Sequence, residues 1–557
     1  MSPATKANAC GRANHRLCHE RNINISNGIK NRKNVTPSLL DKSMDASANT
    51  TNEEHARLSR LSRQGGLRRS PRGETSKLHL TSAQLGLVER IVGGDGTTRR
   101  LVIAAMHMGT GKTLASLAAL CVLRARSPNR PIRVLFVVPK STLYSTWRKQ
   151  LRYFTHLDVD DVRVVTYPRL QNAFMKSYRK KPKGGWERTV RNVLLDKYRD
   201  LVVFDESHTL RNPHTILGQA AATLSKRAAR VLCMTGTPIH NGPEDASGQL
   251  CAMGSGNQLE DSALFGKRAA LNRDAVRDFT ERFVYTSSLL EAGITLPLKH
   301  SETVWVDHAF SKAEAEQYNE SLVAIQGANI KKAPGAMKHH MLILRQLCVE
   351  PALHHKHGRD TFDDEALRRT VAAPGPKLRA TLALVRRLVY EGHSKVVVVS
   401  EFVTLLDVFR DLALEHLGED SLCFDGRLGA AARGKMVEEF LTGGARLLCL
   451  SLGAGAYGLN LTPGPTAMII LDVWFNPAVH RQVEARIHRT GQDKEVKIFT
   501  LVTRDSVEAA ILGTHAGKEA CALALLTGAN DDSAKPNDVK RIAETCTQMK
   551  HKHLENE

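Results

Sequence analysis

Two sets of short apolar segments, separated by stretches of helical length, constrain the fold of this chain more than any other feature. The first set lies between residues 101 and 236, and the second lies between residues 395 and 503. The segments are LVIAAM (101–106), RVLFVVP (133–139), RVVTY (163–167), LVVFDE (201–206), RVLCMTG (230–236), KVVVVSEF (395–402), RLLCLS (446–451), AMIILD (467–472) and VKIFTLVT (496–503). Continuous apolar strands that alternate with helices are typical of parallel sheets covered on both faces. The sequence therefore predicts an α/β protein with two parallel sheets.

The rest of the chain divides around these two sets. At 557 residues the chain is too long for one compact core. Between the sets no apolar strand is evident and a basic, His-rich stretch predicts helices, while residues 1–77 have no sustained hydrophobic period. We therefore predict a basic disordered tail (1–77), lobe 1 (78–297), a helical insertion (298–374), lobe 2 (375–515) and a C-terminal tail (516–557).

The charge of the chain indicates a polyanionic partner. The formal net charge is +22, and the first 80 residues hold 15 Lys and Arg against 6 Asp and Glu. More than half of the excess therefore lies in the predicted lobes and not in the tail. A fold this basic favours nucleic acid as the partner.

Other bulk features argue against a membrane or exported protein. No apolar run approaches the ~20 residues that a bilayer-spanning helix needs. The N-terminus has no apolar secretory core. The ten cysteines include no CxxC pair, which favours reduced thiols over a disulfide or zinc framework. We expect no membrane partner.

The stretch LVIAAMHMGTGKTLAS (101–116) has the strand–loop–helix context of a phosphate-binding loop. The usual pattern, G-x-x-x-x-G-K-[ST], has glycine where Met106 stands. An alternative is a helix N-terminal turn with an incidental lysine. In the phosphate-loop interpretation, the loop residues are Met108, Gly109, Thr110, Gly111, Lys112 and Thr113. The glycines allow backbone N–H groups to converge on phosphates, Lys112 reaches the β- and γ-phosphates, and Thr113 holds Mg²⁺.

Two further motifs follow apolar strands of the first set. LVVFDESH delivers Asp205 and Glu206 to the carboxyl end of a strand, where open α/β sheets bind ligands. Adjacent acids there suit two tasks, Mg²⁺ binding and activation of the attacking water, although an acidic helix cap is the simpler alternative. MTGTPIHN (234–241) places Thr235 and Thr237 where they could relay between a phosphate site and a polymer site, or form a plain turn.

The fourth motif comes from the second set. NPAVHRQVEARIHRTGQ (476–492) spaces Gln482, Arg486 and Arg489 by four and three residues, which on a helix predicts a shared face. Arginines directed from lobe 2 toward a phosphate loop in lobe 1 would neutralise charge during phosphoryl transfer. The alternative is a solvated basic helix face.

Taken in order, these motifs resemble the Swi/Snf-type branch of the superfamily-two helicase-like ATPases. The resemblance spans about residues 78–515, and the family's loop pattern is D-E-M-G-x-G-K-T. Met106 and His107 replace the acidic pair of that pattern, and DESH stands for the commoner DEAH or DEGH. The motifs are LTSAQLGLVERI (80–91), MHMGTGKT (106–113), VVPKSTLYSTW (137–147), DESH (205–208), MTGTPIHN (234–241), LRQLCVEP (344–351), SEFVTLLD (400–407), DGRLGAAARGKMVEEF (425–440), SLGAGAYGLNLT (451–462) and QVEARIHRTGQ (482–492).

The resemblance implies two RecA-like lobes with ATP and Mg²⁺ in the cleft between them. It also implies a role for each site residue: Gln84 on the adenine, Lys112 and Thr113 on phosphate and Mg²⁺, Asp205 on Mg²⁺, Glu206 as the base, Gln482, Arg486 and Arg489 completing the site from lobe 2, and Gly458 beside the γ-phosphate. Polymer contacts would come from PKST (139–142), Thr235 to Thr237 and SLGAGAYG (451–458).

The family resemblance also implies an activity. We expect ATP-dependent translocation along double-stranded DNA, with displacement or remodelling of DNA-bound protein such as a nucleosome or a polymerase. The expected compartment is the nucleus, if the host is eukaryotic or the protein is viral in such a host. Two alternatives stay open, a strand-separating DNA or RNA helicase and a nucleic-acid-binding scaffold without ATPase activity.

Overall fold

A computed structural model describes most of the chain between residues 39 and 516. The described residues are 39–64, 67, 79–93, 100–140, 142–148, 150–151, 162–182, 185–236, 244–254, 273–327, 334–353, 369–455 and 459–516. The chain divides into two compact units, Met1–Glu54 and His55–Glu557, and the second unit contains both sheets. None of the helices within these ranges combines the length and apolar composition needed to cross a bilayer.

The structure places a helix, α1 (Leu39–Gln64), inside the range for which the sequence predicts disorder, so that prediction is wrong for these residues. Leu58 is fully buried, and Leu61 packs against the same cluster, which also contains Leu87 of lobe 1. Two leucines three residues apart lie on one face of a helix. The helix has a weak sequence signal because its short apolar face stands among Asn, Ser and Arg residues.

Lobe 1 contains a six-stranded sheet whose strands are all parallel, in the spatial order β3-β2-β6-β7-β1-β8. A separate antiparallel hairpin, β4–β5, follows the third strand. The strands are β1 (Arg100–Met106), β2 (Val134–Val138), β3 (Val162–Thr166), β4 (Tyr178–Lys180), β5 (Trp186–Arg188), β6 (Leu201–Asp205), β7 (Arg230–Thr235) and β8 (Val284–Ser287).

Helices cover both faces of this sheet. The helical elements are α2 (Ser82–Val92), α3 (Lys112–Arg126), a π-helical turn (Leu143–Arg148), α4 (Tyr167–Ser177), α5 (Val193–Asp196), a 3₁₀ turn (Ser207–Leu210), α6 (Ile216–Ser225), α7 (Glu244–Ala252) and α8 (Arg273–Phe283). Successive residues of a strand point to opposite faces. Accordingly Val102 and Ala104 of β1 belong to one buried cluster, and Ile103 belongs to the cluster on the other side. Burial on both faces explains why the strands have continuous apolar sequences.

Lobe 2 repeats this plan with six parallel strands in the order β11-β12-β10-β13-β14-β9. Its strands are β9 (Lys299–Val306), β10 (Val396–Ser400), β11 (Ser421–Phe424), β12 (Leu447–Ser451), β13 (Ala467–Ile470) and β14 (Val496–Thr503). Its helices, together with those between β9 and β10, are α9 (Lys312–Gly327), α10 (Pro334–Val349), α11 (Pro376–Arg386), α12 (Val403–Leu417), α13 (Ala430–Thr442), α14 (Leu452–Gly455) and α15 (Pro477–Glu484). All nine apolar segments form strands, and the predicted fold class of two parallel-sheet α/β lobes is confirmed.

The sheet of lobe 2 begins earlier in the chain than predicted. The range 298–374 was expected to contain no strand, but β9 lies there and pairs with β14 along its whole length, from Lys299 opposite Val496 to Val306 opposite Thr503. The strand lies at the sheet edge and most of its residues are exposed. Its sequence, KHSETVWV, therefore lacks the apolar run by which the other strands were recognised. The helices α9 and α10 follow it, as the predicted helical insertion requires.

Candidate nucleotide site between the two lobes

The phosphate loop connects β1 to α3 through two glycines with left-handed backbone conformations. Gly109 has φ +87° and Gly111 has φ +81°, a region that other L-residues rarely adopt. A Cβ atom on Gly111 would also lie 2.3 Å from Gln84 Nε2. Met106 is the fully buried last residue of β1, with no positive φ. Glycine is therefore required inside the loop and not at the position where the usual pattern begins.

Lys112, the first residue of α3, directs its ammonium group into the loop. Nζ donates hydrogen bonds to the main-chain oxygens of Met106 at 2.8 Å and His107 at 3.2 Å. Burial lowers the pKa of Lys112, while the nearby charges of Glu206 and Asp205 oppose that shift. The ammonium therefore lies close to both acids that follow β6. Thr113 is next to it in the first turn of α3.

Asp205, the last residue of β6, has donors on both carboxylate oxygens. Oδ2 accepts a hydrogen bond from Trp147 Nε1 at 2.7 Å, and Oδ1 accepts one from the Glu206 main-chain N–H at 3.1 Å. Its main-chain oxygen accepts from the Tyr167 hydroxyl at 2.6 Å. Burial, reinforced by the charge of Glu206, raises the pKa of Asp205 to about 7. With a donor on each of its two oxygens, the carboxyl group of Asp205 has a defined orientation.

Glu206 occupies a strained backbone conformation, with φ 49° and ψ 52°. For a residue with a side chain this left-handed conformation costs roughly 1–3 kcal/mol, and such residues cluster at functional sites. Its Oε2 lies 3.4 Å from His208 Nδ1, which itself is 3.3 Å from Thr235 Oγ1. Burial raises the pKa of Glu206, and the charges of Lys112 and Arg486 oppose the rise. The acid pair is therefore linked both to the phosphate loop and to the end of β7.

Lobe 2 contributes arginines to the same site. Arg486 is 6% exposed, and its Nη1 donates to the main-chain oxygen of Leu459 at 3.2 Å. Burial lowers the pKa of Arg486 to about 10, although the charge of Glu206 in lobe 1 opposes the shift. Arg489 Cβ is 3.9 Å from where a Cβ on Gly109 would be. Both arginines thus approach the phosphate loop and the acids of the other lobe.

The helix predicted to carry Gln482, Arg486 and Arg489 on one face is shorter than expected. α15 ends at Glu484, so only Gln482 is helical and that prediction is wrong for the two arginines. Turns replace the helix. The Arg486 N–H donates to the Val483 oxygen at 2.9 Å, and the helix does not resume before Gly491, which has φ +100°. The turns, and not a continuous helix, bring the arginines to the cleft.

Gln84, predicted to contact adenine, connects α2 to the phosphate loop. Its main-chain N–H and side-chain oxygen form a reciprocal capping box with Thr81. Its Nε2 donates to the Thr110 oxygen at 3.0 Å, and the Thr110 hydroxyl donates to His107. Gln84 therefore contacts the phosphate loop directly. Its contact with adenine stays a prediction.

The predicted polymer-contacting residues are only partly described. Thr142 closes a turn by donating from its N–H and its hydroxyl to the Pro139 oxygen, both at 3.2 Å, and Lys140 in this turn is exposed. Thr235 is buried at the end of β7. Ser141, Thr237 and residues 456–458, including Gly458, lie outside the described residues.

Two residues of the site were not found by sequence analysis. Trp147 and Tyr167 both contact Asp205, across 58 and 38 residues of chain. Neither contact follows from local spacing, because each depends on how the π-helical turn and α4 pack against β6. Only the position of Trp147 shortly after PKST (139–142) could have drawn attention to it.

The side chains present fit a nucleoside triphosphate with Mg²⁺. Three cationic side chains, those of Lys112, Arg486 and Arg489, come together from both lobes, which suits a polyanion. Among the described residues, no hydrogen-bond partner is present for the buried atoms Gln482 Nε2 and Arg489 Nε, which leaves donors for phosphate oxygens or water. Thr113 and Asp205 offer the hydroxyl and carboxylate oxygens that Mg²⁺ prefers.

Two models of protein families match the chain. A model of the SNF2-related domain matches residues 94–353, and a model of the helicase conserved C-terminal domain matches residues 378–491. The first match covers most of lobe 1 and extends through α10, and the second covers most of lobe 2. The chain belongs to the SNF2 family of helicase-like ATPases.

Several curated proteins resemble the chain over most of its length. It is 29% identical over 429 residues to a probable global transactivator of Orgyia pseudotsugata multicapsid polyhedrosis virus, covering 72% of this chain and 81% of that protein. It is 25% identical over 535 residues to the DNA repair and recombination protein RDH54 of Saccharomyces cerevisiae, covering 82% of this chain and 56% of RDH54. Chromodomain-helicase-DNA-binding protein 6 of Homo sapiens is 26% identical, with 74% of this chain and 16% of that protein covered. The chain thus spans about half of the yeast relative and a small part of the human one.

Among solved structures, the SWI2/SNF2 ATPase core of Sulfolobus solfataricus in complex with dsDNA is similar to this chain. The two are 21% identical, the match covers 81% of this chain and 95% of that chain, and the TM-score is 0.34.

Proposed function

We propose that the chain hydrolyses ATP when bound to double-stranded DNA and uses the reaction to move along the duplex, displacing or remodelling DNA-bound protein. One observation carries the proposal: the Thr490 hydroxyl of lobe 2 donates to the main-chain oxygen of Gly109 in the phosphate loop at 3.3 Å, which brings the neighbouring Arg489 to that loop. Arg486 of lobe 2 also lies close enough to Glu206 of lobe 1 for its charge to oppose the rise in the pKa of that acid. A site assembled from both lobes changes when the lobes move relative to each other. That property is what a motor driven by ATP needs.

Each side chain then has a task in the reaction. Lys112 and the N–H groups of the loop Met108–Gly111 bind the phosphates, and Glu206 accepts the proton of the attacking water. Arg486 and Arg489 neutralise charge that develops on the γ-phosphate. The remaining proposed roles are Thr113 and Asp205 as Mg²⁺ ligands, Gln482 as a water or phosphate contact, Gln84 at the adenine and Gly458 beside the γ-phosphate. Bound Mg²⁺ would neutralise phosphate charge.

The division of the site explains how ATP could drive motion. A ligand shifts a conformational equilibrium only by its difference in affinity for the two states. ATP contacts both halves only when the lobes are closed, so it favours closure, and loss of the γ-phosphate removes part of that preference. Repeated closure and opening would move the two DNA-contacting surfaces relative to each other.

Double-stranded DNA is the proposed track. The net charge of +22 favours a polyanion, and the proposed contacts lie at residues 139–142, 235–237 and 451–458. Contacts made chiefly to phosphates give an affinity that falls steeply with salt. The names of the relatives, which include DNA repair and recombination, transactivator and helicase-DNA-binding proteins, agree with this track. A nucleosome or a polymerase is a suitable obstacle. The proposed compartment is the nucleus, whether the protein is eukaryotic or viral in a eukaryotic host.

The test is the rate of ATP turnover by the purified chain at low salt, with and without duplex DNA. We expect stimulation by duplex that exceeds stimulation by single strands and declines with added salt. Lys112→Ala should abolish turnover, and Glu206→Gln should retain ATP binding while losing turnover. A rate that is the same with and without duplex would contradict the proposal. A strand-displacement assay on the same samples distinguishes translocation from strand separation.

A further inference from the structure

Trp147 connects the proposed DNA-contacting turn, residues 139–142, to the acid pair through a short covalent and hydrogen-bonded path. Thr142 closes that turn onto Pro139 by two hydrogen bonds of 3.2 Å. The π-helical turn Leu143–Arg148 follows at once and carries Trp147. The indole Nε1 then donates to Asp205 Oδ2 at 2.7 Å. Only four residues therefore separate Thr142 from Trp147, whose side chain orients Asp205.

The environment of Trp147 restricts its freedom to move independently. The residue is fully buried, and its ring lies 4.8 Å, centroid to centroid, from the ring of Phe136 in β2. Close-packed interiors transmit small displacements because they contain little free space. A π-helical turn is a rare element that frequently occurs at functional sites. A shift of this turn would therefore move the indole N–H relative to Asp205.

Asp205 has further hydrogen bonds, at its other carboxylate oxygen and at its main chain. Asp205 Oδ1 accepts from the Glu206 N–H at 3.1 Å, and the Asp205 main-chain oxygen accepts from Tyr167 at 2.6 Å. The backbone of Asp205 is thus fixed in β6, while the Trp147 bond is the contact on its side chain that comes from the neighbouring turn. Movement of the turn would change the orientation of the carboxylate and not the position of the strand.

The π-helical turn also contacts lobe 2. Residues of Leu143–Arg148 lie against α13 (Ala430–Thr442) across the cleft. The same short segment therefore follows the proposed DNA contact, touches the other lobe and carries the donor to Asp205. A segment in this position can respond both to duplex binding and to closure of the lobes.

We propose that Trp147 is a positioning residue that couples duplex binding at residues 139–142 to the orientation of the Asp205 carboxylate, and so sets how strongly duplex stimulates turnover. This inference rests on the proposed function, in which that turn contacts duplex phosphates and Asp205 binds Mg²⁺. Trp147 itself contacts neither nucleotide nor DNA in this scheme.

Two substitutions separate the hydrogen bond from packing. Trp147→Phe removes the N–H donor and keeps a large ring, whereas Trp147→His keeps a ring N–H and removes more volume. Trp186→Phe is a matched control, because Trp186 lies in β5 and packs edge-on against Phe174, with 4.9 Å between ring centroids. Thermal unfolding and duplex affinity without nucleotide are measured for each variant.

The first readout is the stimulation ratio, the turnover rate with duplex divided by the rate without it. Trp147→Phe should lower this ratio by about 10-fold or more, as loss of a partner that orients a metal ligand typically does. Trp147→His should retain more of the ratio than Trp147→Phe, and Trp186→Phe should leave it unchanged. The proposal is overturned if Trp147→Phe leaves the ratio at the wild-type value, or if Trp147→His is the more damaging of the two.

The second readout does not depend on hydrolysis. It is the Mg²⁺ concentration at which a fluorescent ADP analogue is half-bound, measured with and without duplex. Duplex should lower that concentration for the wild-type chain and should have no effect on Trp147→Phe. If duplex DNA does not stimulate turnover of the wild-type chain, the proposed function fails. The Mg²⁺ measurement still tests the coupling in that case, because an equal effect of duplex on the wild-type chain and on Trp147→Phe overturns the coupling. If Trp147→Phe does not fold, the comparison of Trp147→His with wild type decides in the same way, because a retained N–H should retain the response.

Discussion

Thr490 of lobe 2 donates a hydrogen bond from its hydroxyl to the main-chain oxygen of Gly109 in the phosphate loop, at 3.3 Å and across 381 residues of sequence. The bond joins the residue next to Arg489 to the loop that begins α3. It therefore contributes to the closed arrangement in which arginines of one lobe face the lysine and acids of the other. Its partner is a main-chain atom, so the contact depends on Thr490 and not on the side chain at position 109.

Replacing Thr490 by Val should weaken lobe closure without altering the shape of the cleft. The change removes one neutral hydrogen bond, whose net contribution is about 0.5–1.5 kcal/mol, so the KM for ATP should rise by about 2- to 13-fold. Thr442→Val is the control, because the Thr442 hydroxyl bonds to Glu438 within α13. Steady-state kinetics with saturating duplex measure both variants. Equal KM values for Thr490→Val and wild type would show that this contact does not contribute to closure.

Replacing Arg486 by Lys should impair turnover far more than nucleotide binding. Lysine keeps a positive charge but loses the planar fork of donors, and arginines that act on a transferring phosphoryl group contribute about 10³-fold or more to the rate. The same change at Arg489 tests the second arginine. Single-turnover kinetics and ADP-analogue binding separate the two effects. Arg481→Lys, on the exposed face of α15, is the control. Wild-type turnover by the Arg486→Lys variant would exclude Arg486 from the chemistry, and an impaired Arg481→Lys would indicate a general effect of charge.

Replacing Gly111 by Ala should weaken nucleotide binding, and the same change at a second glycine separates backbone strain from displacement of Gln84. Gly111 and Gly185 have nearly equal φ values, +81° and +82°, so alanine costs about 1–2 kcal/mol of backbone strain at either position. Only at Gly111 would the added Cβ also meet Gln84 Nε2, at 2.3 Å, whereas nothing lies within 4 Å at Gly185. The new Cβ would displace the Gln84 side chain from Thr110, so a fluorescent ADP analogue should bind more weakly to Gly111→Ala than to Gly185→Ala. Equal affinities of the two variants would contradict this account of the loop.

The buried imidazole of His480 should make the chain less stable in mild acid. Its Nε2 accepts a hydrogen bond from the Trp474 N–H at 2.8 Å, and burial lowers its pKa to about 4. The unfolded chain, with a histidine pKa of about 6.5, binds a proton that the folded chain excludes, so this stability is present above pH 6.5 and is lost as the pH falls toward 4. Between pH 6.5 and pH 5 the loss is about 2 kcal/mol from this group alone.

Urea unfolding at a series of pH values measures this dependence. His480→Gln, which keeps a side-chain acceptor for the Trp474 N–H, should unfold with a shallower dependence on pH below 6.5 than the wild-type chain. Identical slopes for the two proteins would show that His480 is not the group that titrates.

The sequence predicted the interior of both sheets and missed most of their edges. All nine apolar segments became strands, because strands buried on both faces need continuous apolar sequence. The three sheet strands that sequence analysis missed, β8, β9 and β11, are all at sheet edges. An edge strand has fewer neighbours to pack against, so its sequence carries a weaker apolar signal.

The sequence also predicted part of the candidate site and missed the rest. Motif spacing located Lys112, the acid pair and the two arginines, because those residues follow strand ends or lie close together in sequence. The spacing of the two arginines predicts that both lie on a helix, but that helix ends at Glu484. Trp147 and Tyr167 could not be predicted, since their contacts with Asp205 depend on the packing of distant segments.

The early position of β9 means that the second lobe is not one uninterrupted piece of chain. Its outermost strand is separated from the rest of its sheet by α9, α10 and the residues around them. A truncated fragment that starts at residue 375 would leave β14, an apolar strand, without its neighbour and with unsatisfied backbone groups along one side. Exposed strands of that kind promote aggregation. Attempts to isolate this half of the molecule should therefore begin ahead of Lys299.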